Sequence, residues 1–199
     1  GKKVMQSAAE NITDVMLEEE SAQRVEQTEE GVRYSLDRLG IPLVEIGTAP
    51  DIRTPEQAYD AAEHIGMLLR STGSVKRGLG TIRQDVNVSI DEGARVEIKG
   101  VQALGDIHDI VAGEAERQVA LLDIREELQS RDASVGDVSE VSEVFEDTDS
   151  GVVRGALDSG GKVTAVPLYG FDGLVGREIP PDRRLGTELA DHAKRAGAG

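Results

Sequence analysis

The stretch TIRQDVNVSIDEGARVEIK, Thr81 to Lys99, constrains the fold of this 199-residue chain more than any other. Apolar and polar residues alternate from Thr81 to Ile90 and again from Ala94 to Lys99, the period of a half-buried strand. Asp91-Glu92-Gly93 between them reads as a short glycine-containing hairpin loop. Ile82, Val86, Val88, Ile90, Ala94, Val96 and Ile98 then share one side. Thr81, Arg83, Asp85, Asn87, Ser89, Arg95, Glu97 and Lys99 share the other. Two readings of that polar side compete. It is the wet outer face of an antiparallel hairpin, or it is a set of converging ligands. Asp and Asn are poor strand formers, which favours the second, and Arg83, Asp85, Asn87, Glu97 and Lys99 have the chemistry to hold a cation and a phosphate. Cross-strand neighbours stand about 4.5–5.5 Å apart at Cβ, close enough for two carboxylates to share one cation.

Such a hairpin needs a core behind it, and 38% apolar residues supply one. Trp is absent and aromatics make up 3%, so that core is aliphatic. There is no cysteine, which excludes disulfides and thiolate metal sites. No apolar run reaches membrane-spanning length, and no signal peptide is visible, so a cytoplasmic protein is expected. The opening Gly-Lys-Lys, in place of Met, reads as an engineered start or an internal fragment. The net charge is −16, from 38 acidic against 22 basic residues, of which six are lysine. A field of that sign repels nucleic acid in ordinary salt. Either the chain does not touch nucleic acid, or it comes from a high-salt cell where screening is strong. The acidity is spread along the whole chain, which favours surface adaptation.

Residues 4–17 fit a helix or a strand, and Glu18-Glu19-Glu20 followed by a polar stretch to Gly31 reads as a solvated face or helix start. Val32–Leu36 and Ile41–Thr48 read as strands around an Asp37–Gly40 turn, with Pro42 at a strand start. Glu45 is a lone carboxylate there, either an edge residue paired with arginine or a metal ligand or base. Thr54 (N-cap), Pro55 and Gln57 open a helix that Gly73 closes. The loop Ser71–Gly80, with three glycines and Lys76-Arg77, has phosphate-wrapping character without being a P-loop. A long helix is expected from Gly105 to Arg131, with Ile107, Ile110, Val111, Val119, Leu122 and Leu128 inward. An acidic linker with a strand near Val141–Phe145, a glycine-rich β-containing module over 150–179, a Pro180-Pro181 turn and a helix from Glu188 capped by Thr187 complete the chain.

YSLDRLGIPLVEIGTAPDIRTPEQA, RGLGTIRQDVNVSI and GARVEIKGVQ together resemble the catalytic core of the glutamyl-tRNA(Gln) amidotransferase B/E family. SLDRLG, LRSTG, KRGLGTIRQD and IKGVQ are closer to its archaeal E branch than to its bacterial B branch. GKVTAVPLYGFDGLVGREIPPDRRLGTELADHA resembles the start of the GAD domain inserted in that branch. The resemblance implies an α+β fold with a mainly antiparallel cradle sheet. It implies a partial catalytic domain over 1–133, and a linker and start of a GAD-like domain over 134–199. In that fold the hairpin 81–99 and strand 41–48 are expected in one sheet, with the helices 55–71 and 105–131 on its apolar face.

The chemistry implied is ATP-dependent conversion of misacylated Glu-tRNA(Gln) to Gln-tRNA(Gln). ATP phosphorylates the glutamyl carboxylate, and ammonia from an asparaginase-like partner, the amidotransferase D subunit, displaces the phosphate. Such a step needs divalent metal and cations at the phosphates, and a magnesium ion wants hard oxygen ligands. By resemblance the catalytic set is Glu45, Asp85, Asn87 and Glu97. Glu18, Glu19, Glu45, Asp85 and Glu97 are the metal set, and Arg83 and Lys99 hold phosphate. The chain departs from the family's LEED by carrying Glu20, and around Ser7 to Asn11. Arg177, Arg183 and Arg184 are candidates for tRNA contact. The full complex is expected to be a heterotetramer. The alternative is a non-catalytic tRNA-binding or assembly scaffold.

Overall fold

The structure is a computed structural model and describes residues 11–78 and 80–197. The part of the 4–17 segment before Asn11, with most of the departure at Ser7–Asn11, lies outside the described residues, as does Leu79 of the glycine-rich loop. Two compact units are present. One comprises the described residues up to Gln84 with Val101–His108, the other Asp85–Gly100 with the chain from Asp109 onward.

In the first unit, β1 (Ile12–Glu19), β2 (Gln23–Thr28), β3 (Gly31–Ser35) and β4 (Pro42–Thr48) form two antiparallel pairs, β1 with β4 and β2 with β3. The described part of the segment that fitted either helix or strand is a strand from Ile12, and Glu18 and Glu19 of the acidic triplet belong to it instead of starting a helix. The polar stretch before Gly31 contains β2, which apolar alternation did not reveal. Its Arg24 and Gln27 stand opposite Tyr34 and Val32, and strand preference comes from such cross-strand partners as much as from intrinsic propensity. The expected turn closes with Leu39 N–H on Leu36 C=O at 3.2 Å and Ile41 N–H on Arg38 C=O at 3.2 Å.

The helix α1 (Pro55–Ser71) has the expected bounds. Thr54 Oγ1 accepts from Gln57 N–H at 3.2 Å, and Gln57 Oε1 accepts from Arg53 N–H at 2.7 Å. One first-turn donor, Gln57 N–H, is thereby satisfied, and the return bond lands on Arg53, one residue earlier than in a standard capping box. Ala58 and Ala61 are its buried positions.

The hairpin strands are β5 (Gln84–Val88) and β6 (Val96–Val101), paired with each other. The alternation holds as far as Lys99: Asp85, Asn87, Glu97 and Lys99 are exposed and Val88 is buried, whereas Val101, of the same parity as Glu97 and Lys99, is buried beyond Gly100, whose φ of +72° breaks the regular strand. The ladder is shorter at the loop than the pattern suggested. The expectation that the hairpin and strand 41–48 share one sheet is not met: β4 takes β1 as its antiparallel partner from Pro42 to Thr48, and β5 pairs with β6. Among the described residues the strands form six two-stranded pairs.

The helix α2 (Asp106–Ser130) matches the expected long helix, and its buried side includes the expected Ile107 and Leu128 but excludes Val119. Ile107 and Ile124 are buried, and so are Glu114 and Gln118, whereas Val119 is 49% exposed. Ile124 joins Leu174, Ile179 and Leu185 in the core of the second unit, with Leu121, Leu128 and Phe171 packed against it.

Beyond α2 come β7 (Ser134–Val135) and β8 (Ser139–Glu140), then a 3-10 turn at Ser142–Phe145 where a strand was expected. Val144 N–H bonds Val141 C=O at 3.0 Å, so this segment closes on itself rather than on a neighbouring strand. The helix α3 (Gly151–Asp158) lies within the segment read as β-containing, and Ser150 Oγ accepts from Val153 N–H at its start. The strands β9 (Thr164–Ala165), β10 (Leu168–Tyr169), β11 (Glu178–Ile179) and β12 (Arg183–Arg184) are two residues each. They pair antiparallel as β7 with β10, β8 with β9 and β11 with β12. The last helix, α4 (Leu185–Arg195), begins before the expected Glu188. Thr187 therefore lies inside it and is not its cap. The buried Leu185 draws the first turn into the core.

Candidate functional site

The expected site residues fall in both units, with Glu18, Glu19, Glu45 and Arg83 in the first and Asp85, Asn87, Glu97 and Lys99 in the second.

In the first unit the β1–β4 register places Met16 opposite Glu45 and Glu18 opposite Leu43. Opposed residues of an antiparallel pair point to the same side, so Glu18 and Glu45 share a face and are diagonal neighbours, while Glu19 lies on the other. Asp14, opposite Gly47, joins Glu18 and Glu45 on that face. Arg83, expected at a phosphate, sits on Glu20, with Nη2 2.5 Å from Oε2. Arg38 Nε approaches the same carboxylate at 4.0 Å. The side chain of Glu20, the residue by which the sequence departs from the family pattern, is 15% exposed and collects both arginines.

In the second unit Asp85 Oδ1 accepts from Gly100 N–H at 2.7 Å, which fixes its carboxylate at the Gly100 end of β6. Glu97 Oε2 is 3.2 Å from Lys99 Nζ, with both side chains largely exposed. The two hairpin carboxylates are thus engaged separately. Among the described residues no group of three or more His, Asp or Glu side chains is arranged to hold a metal ion.

The strongest electrostatic feature of this unit was not singled out from the sequence. Arg117 grips Glu188 with two bonds, Nη2 to Oε2 at 2.9 Å and Nε to Oε1 at 3.3 Å, and reaches Glu114 Oε1 at 3.2 Å. The Arg117 bond is the main cause that holds the Glu188 carboxyl below its ordinary range, and Glu188 in turn raises the Arg117 guanidinium. Glu114 Oε1 also accepts from Gln118 Nε2 at 2.8 Å. The signal available in the sequence was spacing: positions 107, 111, 114, 118, 121, 124 and 128 form a continuous helical stripe with Glu114 and Gln118 at its middle.

Two of the three arginines considered for tRNA contact are paired within the chain. Arg177 Nη2 is 2.5 Å from Glu127 Oε2, and this bond is the first cause of a lowered Glu127 carboxyl. Arg183 pairs with Asp191 and has Nε 3.1 Å from Glu188 Oε1. Arg184 is exposed on β12, opposite Glu178.

A capped helix, an acidic and amide-bearing hairpin and a long helix follow one another along the chain. The chain belongs to the GatB/GatE catalytic domain family, which it matches over residues 2–176. It is 74% identical over 188 residues to the E subunit of glutamyl-tRNA(Gln) amidotransferase from Haloarcula marismortui, covering 94% of this chain and 30% of that protein. The E subunit of Halobacterium salinarum is 72% identical over the same shares, and that of Methanocaldococcus jannaschii is 56% identical over 92% of this chain and 29% of its own length. The chain therefore spans about three tenths of the length of the curated relatives it matches. Among the described residues no helix is long and apolar enough to cross a membrane.

Proposed function

We propose that this chain is the catalytic-core portion of an amidotransferase E subunit that converts Glu-tRNA(Gln) to Gln-tRNA(Gln) with ATP. The activating step phosphorylates the glutamyl carboxylate, and ammonia from an asparaginase-like D subunit then displaces phosphate within a heterotetrameric, cytoplasmic assembly. A carboxylate repels nucleophiles through its charge, and phosphorylation supplies a leaving group. In the same reading residues 1–133 are the partial catalytic domain, and 134–199 are a linker and the start of a GAD-like domain.

The observation that carries the reading is the polar face of the β5–β6 hairpin in a chain of this family. Asp85, Asn87, Glu97 and Lys99 project outward, with Val88 buried on the opposite side. These are hard oxygen donors beside a cation, the donor chemistry that magnesium and phosphate require. Magnesium retains waters and takes only one or two protein carboxylates beside substrate phosphates, so the hairpin fits it without a three-carboxylate cage. When bound, the ion neutralises charge on the phosphates of ATP. In the first unit Glu18 and Glu45 share a face of β1–β4 and are proposed metal ligands, and Glu19, on the opposite face, is a candidate by resemblance alone; Lys99 on the hairpin and Arg83 in the first unit are proposed phosphate contacts. Arg177, Arg183 and Arg184 are the proposed tRNA contacts, reached by exchange of their internal partners.

Asp85→Asn in the full assembly tests this. An asparagine oxygen still accepts the Gly100 N–H, so the hairpin is retained while the charge is lost. The expected result is loss of phosphorylated intermediate with the complex still assembled. A near-normal rate of intermediate formation would show that the polar face is a solvated surface, and would favour the scaffold reading.

A further inference from the structure

Gln118 lies on α2, 4% exposed, and its side-chain amide holds the backbone of the hairpin. Oε1 accepts from Ile90 N–H at 3.3 Å, and Nε2 donates to Val88 C=O at 3.2 Å. The ladder of β5 ends at Val88, so these two backbone groups lie at and beyond its last residue, where a buried peptide group needs a partner from elsewhere. An amide presents one donor side and one acceptor side, as a peptide does, and so extends the strand with a surrogate. Its orientation is fixed by a third bond. Nε2 also donates to Glu114 Oε1 at 2.8 Å, and an ionised carboxylate accepts only, so the NH2 end must face Glu114. The loop is shaped to admit the amide. A Cβ on Gly93 would stand 2.3 Å from Gln118 Oε1 and 2.8 Å from Ile90 Cγ1. Gly93 N–H closes the turn on Ile90 C=O at 3.0 Å.

Asn87 and Asp85 are the next outward residues along this strand from the gripped Val88 and Ile90. We infer that Gln118 is a positioning residue for the reaction, fixing the hairpin backbone so that Asp85 and Asn87 are held in register; this rests on the reading of the hairpin under Proposed function. Gln118 acts through the backbone groups of Val88 and Ile90. A misplacement of about 1 Å at a reacting group costs about a hundredfold in rate, so the grip has a kinetic consequence out of proportion to its place in the core.

The test uses the full-length protein assembled with its partner. Gln118→Leu removes the three bonds at nearly constant volume, and Gly93→Ala displaces the amide from the loop side should Gln118→Leu fail to assemble. The readouts are the single-turnover rate of amide formation at saturating ATP and magnesium, the KM for the tRNA, and amide hydrogen exchange. The expected result is a rate lowered by about ten- to a hundredfold with the KM for tRNA unchanged. Exchange should quicken at Ile90 while the amides of α1 keep their protection. A wild-type rate in both variants, with exchange at Ile90 quickened, would overturn the inference. So would exchange quickened throughout the second unit with a rate falling in step, the mark of general destabilisation. Asp85→Asn separates the two levels. If it is inactive while Gln118→Leu is normal, only the positioning role fails; if it is active, the hairpin leaves the chemistry and this inference falls with it.

Discussion

Replacing Arg117 with Met removes the guanidinium that joins α2 to α4 and keeps the length of its aliphatic stem. A hydrogen bond to a charged group contributes about 1.5–3 kcal/mol net, and removing one partner of a buried ion pair costs about 3–5 kcal/mol. This pair is not fully buried: Arg117 is 22% exposed and Glu188 14%. Arg183 Nε remains 3.1 Å from Glu188 Oε1 and offsets part of the loss. The expected cost is therefore about 2–3 kcal/mol at neutral pH, below the buried-pair range. In a domain of this size that is a fall in Tm of about 4–12 °C. The pH dependence follows from the lowered Glu188 carboxyl. Its contribution is fully present above the ordinary glutamate value of about 4.3 and is lost as pH falls through the depressed folded value. The difference between wild type and Arg117→Met should therefore be largest near pH 7 and shrink below about pH 4. Urea unfolding at fixed molar potassium chloride, across that pH range, measures it, and a double-mutant cycle with Glu188→Gln isolates the pair. A cost under about 0.5 kcal/mol, the scale of an ordinary surface substitution, would refute this account, as would a cost that does not change on acidification.

Two further outcomes are expected. Stability should rise steeply between low and molar potassium chloride, because the charge of −16 is self-repulsive and its range shrinks from about 10 Å at 0.1 M to about 3 Å at 1 M; a flat Tm across that series would refute high-salt adaptation of the surface. Gly160→Ala should cost about 1–2 kcal/mol, because Gly160 closes α3 at φ +80° with nothing within 4 Å of an added Cβ, which leaves backbone strain as the sole cause. Its readout is Tm, and an unchanged value would show that the α3 terminus is not formed in solution.

Elements whose signals are local were legible. Thr54, Pro55, Gln57 and Gly73 gave the bounds of α1, since capping bonds and left-handed closure involve only near neighbours. The alternation from Gln84 to Val88 and Val96 to Lys99 gave the faces of the hairpin for the same reason. Pairing between distant strands was not legible. Nothing in ITDVMLEE says that it lies against PLVEIGT rather than beside the hairpin, because both are short, two-sided and exposed. On α2 the apolar pattern pointed to Val119, but the buried stripe runs through Glu114 and Gln118, whose partners Val88, Ile90 and Arg117 make burial tolerable. In the tail, α4 starts at Leu185 because burial of that side chain outweighs the capping preference of Thr187. Of the candidate site, the outward set on the hairpin was legible from parity. The capture of Arg83 by Glu20 was not, since it joins residues 63 apart in sequence.

The β1–β4 ribbon has a consequence for how this protein behaves at high concentration. Among the described residues no third strand joins this pair, so one backbone edge of each strand is open there, and such edges are templates for pairing with another molecule. Asp14, Glu18 and Glu19 on β1, and Glu45 with Pro42 on β4, act as gatekeepers there: like charges on approaching copies repel, and Pro42 offers no N–H. Leu17 and Val44, 78% and 61% exposed, are the apolar cargo they guard. Molar salt that screens repulsion within the fold screens it equally between molecules. The conditions that make a single copy most durable are thus those in which its ribbon edges are least defended against a second copy.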